Sequence, residues 1–136
     1  MNDAVKFLSE NTTGILATIG IDGKPKVRPF TFFFEKEGKL WFETSNDKSV
    51  YKELITSPNL EFCVLGKKMS WIRLSGEAVF IDDREDIKVA MFKKAKNLTF
   101  LYQNPQNPVF EIFHLKNAKA VLHQYGSEPR EFVFSS

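Results

Sequence analysis

A single cysteine, Cys63, stands in the 136-residue chain, which excludes an intrachain disulfide and any cysteine-rich metal centre. It lies in the apolar run Leu60–Leu65, which predicts a buried core position. Histidine is almost as scarce: His114 and His123 are the only two, with no cysteine or paired acid at ligand spacing, so structural or surface roles outweigh metal ligation. No Gly-x-Ser-x-Gly, Gly-x-Gly-x-x-Gly or Walker-type run occurs. Nothing therefore announces a serine nucleophile or a triphosphate loop, and an enzyme built on this chain would draw its reactivity from a cofactor. No apolar stretch approaches the length of a membrane span, and the start Met1-Asn2-Asp3-Ala4-Val5-Lys6 has no charged-then-apolar pattern, so the expectation is a cytoplasmic protein without membrane contact. Basic residues exceed acidic ones by only 19 to 17, with no basic run interleaved with aromatics, which argues against a nucleic-acid partner.

What the chain does have is phenylalanine, 14 residues of it, within a 43% hydrophobic composition. That suits a soluble domain with a real core. It is more aromatic surface than one narrow barrel needs, so either the core is Phe-rich or some rings pack against another subunit. The length predicts one domain, residues 1–136.

Along the chain, Asp3–Glu10 reads as a short helix, with Val5, Phe7 and Leu8 to one side. Gly14–Gly20, Lys26–Glu35 and Leu40–Thr44 read as three strands joined by Asp22-Gly23 and Gly38 turns. Lys48–Thr56 follows as a helix with Val50, Tyr51, Leu54 and Ile55 on its buried face, entered through Ser45-Asn46-Asp47 and ended before Pro58. Leu60–Leu65 and Met69–Ile81 are strands; in the second, Trp71, Arg73 and Ser75 share one face while Ile72, Leu74 and Gly76 share the other. A third helix starts near Asp82 and reaches Ala95, and Asn97–Asn107 reads as an irregular loop. Val109–Leu115 and Ala118–Tyr125 form one long strand or a bent pair, and Arg130–Phe134 a last short one. The order predicts an α+β, mainly β chain: an antiparallel split barrel of six or more strands with three peripheral helices.

Two segments suit an anion. In Thr44-Ser45-Asn46-Asp47-Lys48-Ser49 a strand gives way to a helix, whose free N–H groups and dipole favour a phosphate; Thr44, Ser45 and Ser49 offer hydroxyls and Lys48 a charge. Alone, the segment reads more readily as a plain helix cap with a solvent-facing lysine. The second is Arg28, on the same strand face as Lys24 and Lys26 and followed by Pro29, which implies an edge, a bulge or a barrel opening.

Taken in order, Leu16-Ala17-Thr18-Ile19-Gly20, Asp22-Gly23-Lys24-Pro25, Val27-Arg28-Pro29-Phe30, Gly38-Lys39-Leu40-Trp41-Phe42-Glu43-Thr44-Ser45, Ser57-Pro58-Asn59 and Trp71-Ile72-Arg73-Leu74-Ser75-Gly76-Glu77-Ala78 resemble the pyridoxamine 5′-phosphate oxidase-like family of FMN-binding split barrels. The resemblance spans roughly Phe7 to Phe92. It implies that Arg28, Thr44, Ser45, Lys48 and Ser49 hold the FMN phosphate and that the backbone at Pro29 and Phe30 lines the flavin ring. It further implies that Trp71 and Arg73 reach the cofactor from the partner of a two-fold homodimer. In the true oxidases a lysine usually falls where this chain has Val50, and the long C-terminal region that recognises pyridoxal phosphate is lacking, so vitamin B6 oxidation is not assigned. The compact length and the Thr-Ser-Asn-x-Lys spacing resemble the nitroimidazole-resistance-like and general-stress branches. The expected function is an FMN-dependent oxidoreductase acting on a small organic substrate. The alternatives are a non-catalytic flavin, haem or F420 binder and a barrel with no cofactor that serves only protein interaction.

Overall fold

In a computed structural model, in which residues 1–134 are described, the strand order is β2-β1-β5-β6-β7-β4-β3, antiparallel at every pairing, with β8 added to β7. The elements are α1 (Asp3–Glu10), β1 (Thr13–Ile19), β2 (Pro25–Thr31), β3 (Phe34–Lys36), β4 (Lys39–Ser45), α2 (Ser49–Thr56), β5 (Asn59–Leu65), β6 (Ser70–Ile81), α3 (Glu85–Lys94), α4 (Asn97–Tyr102), β7 (Phe110–Gln124) and β8 (Arg130–Val133). The architecture is the expected one: mostly antiparallel sheet with several helices around it.

The phenylalanines close the sheet on itself. Phe30 of β2, near one end of the strand order, meets Phe42 of β4, near the other, at 6.1 Å between ring centroids. Phe42 also stacks on Phe113 of β7 at 5.3 Å and meets Phe62 of β5 edge-on at 5.4 Å. Aromatic pairs in this range attract beyond the area they bury. A second core lies outside the barrel, where Phe33, Trp41, Phe110 and Ile112 pack against Ile87, Met91 and Phe92 of α3 and Leu98 and Tyr102 of α4.

Between the two cores the chain changes partner. The single strand expected over Lys26–Glu35 is broken at Phe32-Phe33: Thr31 pairs with Thr13 of β1, while Phe34 pairs with Trp41 of β4. Phe32 enters the barrel core and Phe33 the outer one, so the break lets consecutive rings serve both. Three further expectations are corrected. Asn97–Asn107 is not wholly irregular, because Leu98 and Tyr102, four residues apart, bury one face of a fourth helix. Ile55 is exposed, and Glu53 takes the buried place beside Val50 and Leu54. Cys63 is exposed, because β5 alternates strictly and its inward set is Leu60, Phe62 and Val64. The pair of strands left open at the C-terminal end is one strand, β7, with Asn117 at φ 54° where the β6–β7 register shifts between Ser75 and Glu77. Close approach of backbones demands glycine at Gly14, where a Cβ would sit 2.3 Å from the Cys63 carbonyl oxygen.

Candidate functional site

Arg28 lies on the inward side of β2 with Phe30, because residues two apart on a strand share a face. Both Nη atoms of its guanidinium are engaged within the chain. One Nη donates to Thr18 Oγ1 at 2.8 Å and to the Leu16 carbonyl at 3.2 Å, and the other donates to Glu53 Oε1 at 2.6 Å. Thr18 donates to the same Glu53 oxygen at 2.7 Å. The Glu53 side chain is only 7% exposed and that of Arg28 23%, so this is a largely desolvated ion pair. Pro29, between Arg28 and Phe30, points outward and is exposed.

Glu53 approaches from α2, one turn beyond Ser49. Ser49, Lys52 and Glu53 line a cleft of about 430 Å³, whose opposite wall is Ile21 and Asp22 of the β1–β2 turn and Lys26 at the start of β2. The turn is held by Asp22, which accepts from the Lys24 amide at 3.0 Å and from Lys26 Nζ at 3.1 Å. These two contacts, the amide first, hold its carboxyl below the usual range. Lys48 is the exposed N-cap residue of α2, and no side chain caps the helix. Two lysines, Lys26 and Lys52, and an uncapped helix N-terminus thus meet at this cleft, together with the Asp22 and Glu53 carboxylates and with Arg28 behind Glu53.

The Thr44 and Ser45 hydroxyls do not converge. Thr44 follows Phe42 on the barrel side of β4; it is 2% exposed and its Oγ1 has no hydrogen-bond partner. Ser45 follows Trp41 on the other side and donates to Asp47 Oδ1 at 2.6 Å. Beside Ser45 lies an acidic group: Glu43, whose carboxyl burial pushes above the usual range, accepts from Tyr102 at 3.4 Å. The Tyr102 phenol is raised strongly, first by burial and then by the Glu43 charge. Glu111 accepts from Asn46 Nδ2 at 2.8 Å nearby. The strand–helix corner is therefore less basic than its sequence suggests.

Trp71 and Arg73 lie on the outer side of β6, three strands from β2 in the sheet order. Trp71 stacks on His123 of β7 at 4.0 Å and 2°, and the Arg73 guanidinium lies 5.1 Å from the indole centroid. Along β7, Thr44 pairs at Glu111 and Trp71 at His123, opposite ends of the strand. The fold thus joins Arg28 to the Ser49 side of α2 and leaves Thr44, Ser45, Trp71 and Arg73 in separate places. Two residues of the site went unnoticed in the sequence, Thr18 and Glu53. The signal for Glu53 was its position on the Val50–Leu54 face of α2, where a carboxylate needs a partner.

The family profile described as Pyridoxamine 5′-phosphate oxidase matches residues 2–124. This chain belongs to that family. A solved NimC/NimA family protein from Clostridium acetobutylicum is 32% identical to this family member, with a TM-score of 0.86 over 96% of this chain and 89% of the other. A pyridoxamine 5′-phosphate oxidase-related, FMN binding protein from Nostoc punctiforme has the same fold at 17% identity and a TM-score of 0.65, over 98% of this chain and 95% of that one. A heme binding protein from Mycobacterium smegmatis shares the fold at 15% identity and a TM-score of 0.77, over 96% of this chain and 56% of its own. Comparison with curated proteins gave no match. Among the described residues no helix is long and apolar enough to cross a membrane.

The donor set suits a phosphate monoester. Helix amides without a cap, the Lys26 and Lys52 charges and the Ser49 hydroxyl are the groups such an anion uses, with Lys48 at the N-cap position beside them. Arg28 joins them only if a phosphate oxygen replaces Glu53 Oε1.

Proposed function

We propose that this chain is an FMN-binding protein that works as a homodimer and, with flavin bound, as an oxidoreductase of a small organic substrate. The observation that carries the reading is the cleft between the β1–β2 turn and the uncapped start of α2, with its lysines and the guanidinium behind it, in a family member 32% identical to a NimC/NimA protein. Ser49, Lys48 and the first amides of α2 would bind the phosphate, with Arg28 behind them. The Pro29–Phe30 backbone would border the ring, and Phe30, packed at 6.1 Å against both Phe42 and Phe113, holds that edge rigid. Flavin, when bound, supplies hydride or electron exchange; the chain supplies orientation and exclusion of water.

Trp71 and Arg73 reach such a cofactor only from a second copy. The outer face of the sheet favours one: toward β2 and β1 it carries Val27 and Ile15, 67% and 45% exposed, beside the exposed Pro29 and Cys63.

The test is binding. Arg28→Ala and Lys48→Ala are each expected to weaken FMN by about 1.5–3 kcal/mol, the usual worth of a charge-assisted contact, measured by quenching of flavin fluorescence. Unchanged affinity in both variants would refute the phosphate site. Reduction of the loaded protein by NAD(P)H without air, then reoxidation by a nitroaromatic or quinone, separates an enzyme from a protein that only stores or senses flavin.

A further inference from the structure

We infer that Glu53 is a built-in competitor for the phosphate: a carboxylate that occupies Arg28 until a phosphate monoester takes its place. The inference rests on the proposed entry of a phosphate into the cleft beside α2, and concerns how that entry is controlled.

The position of Glu53 argues for such a role. On α2 it occupies the apolar face with Val50 and Leu54, where leucine would be the inexpensive choice. A buried ion pair recovers its desolvation cost poorly and is often no more stable than a well-packed apolar substitute. Stability alone therefore does not account for a carboxylate there. The geometry does suggest a use. Arg28 and Thr18 converge on one oxygen, Oε1, at 2.6 and 2.7 Å, as two donors would converge on a phosphate oxygen. That carboxylate also forms a wall of the cleft lined by Ser49, Lys26 and Lys52. An incoming phosphate can therefore replace Oε1 without reorienting the guanidinium, and the lysines of the same cleft can receive the displaced carboxylate. The chain keeps Arg28 oriented without ligand, at the cost of affinity.

The test compares Glu53→Gln with the unaltered protein, using FMN, riboflavin and inorganic phosphate. Glu53→Gln keeps the shape and removes the charge, and is expected to tighten FMN roughly tenfold or more while leaving riboflavin, which has no phosphate, unchanged. Glu53→Ala, which removes the carboxylate altogether, is expected to tighten FMN in the same direction and serves if Glu53→Gln folds poorly. FMN affinity unchanged in both variants, or FMN and riboflavin moving together, overturns the inference. Thermal protection by phosphate against chloride at matched ionic strength reads the same exchange without flavin. If phosphate protects Glu53→Gln more than the parent while neither binds FMN, the flavin reading fails and the competitor stands. If phosphate protects both equally, the competitor falls.

Discussion

At the scale of single residues, the Arg28–Glu53 pair decides more than either member's identity suggests. Breaking a buried pair leaves an uncompensated charge, at about 3–5 kcal/mol when burial is complete; Arg28 is 23% exposed, which places the expected loss at the lower end, about 3 kcal/mol, for Glu53→Leu or Arg28→Met. The double variant is expected to cost no more than either single one, a coupling of about 3 kcal/mol in a denaturant-unfolding cycle. Additive losses would show that the two groups do not depend on each other. His114 supplies the pH-dependent term. It is 8% exposed, packs edge-on to Trp41 at 5.0 Å, and its Nδ1 has no partner. Burial, then the nearby Lys39 and Arg84 charges, push its imidazole below the ordinary 6.5, against an opposing contact with the Leu115 main-chain carbonyl. The unfolded chain therefore binds the proton more readily, and stability contributed by neutral His114 is present above about pH 6.5 and lost as pH falls through the folded value. Unfolding midpoints of His114→Phe are expected to depend less on pH below 6.5 than those of the parent; parallel curves would remove His114 from the account.

At the scale of elements, alternation and turn chemistry made most of the barrel legible. The bounds of α1 agree with the residues that predicted them, and β5 and β6 differ from their predicted spans by one residue at the start. Errors arose where one segment serves two cores or where a polar residue sits on an apolar face. Phe30 to Phe34 is a continuous β-forming run, and nothing in its composition reveals that Phe32 donates to Thr12 and Phe33 to Trp41 on a different strand. Cys63 looked buried because its run is apolar, yet register overrides composition and turns it outward with Glu61 and Leu65. The candidate site shows the same limit. Its residue types were readable at Arg28 and at Thr44–Ser49, but the competing carboxylates of Glu53 and Asp47 come into contact with them only through packing and the β4–α2 turn. A family resemblance transfers donor positions; it does not transfer the anions that neutralise them.

For the whole molecule, the decisive question is what covers the outer sheet face. Pro29, Ile15, Cys63, Arg73 and Val121 form one cross-strand row through β2, β1, β5, β6 and β7, and Val27, Ala17, Glu61, Ser75 and Lys119 form the next. Cross-strand rows of this kind behave as one surface, here apolar toward β2 and charged toward β7. Two copies packed across it would bury Ile15 and Val27, shield the Cys63 thiol, and bring Trp71 and Arg73 of one to the cleft of the other. Charge placed in that centre should prevent it, because an unpaired buried carboxylate costs more than a rim contact returns. Ile15→Glu is expected to convert a dimer to a monomer by light scattering and to expose Cys63 to a maleimide or disulfide reagent that labels the parent slowly. FMN affinity is expected to fall in the same variant while riboflavin-free stability is kept, since Ile15 is 45% exposed in the single chain and takes no part in its core. A parent that is monomeric and labels Cys63 at once would leave Trp71 and Arg73 on a free surface, and the flavin site would have to be completed by one chain alone.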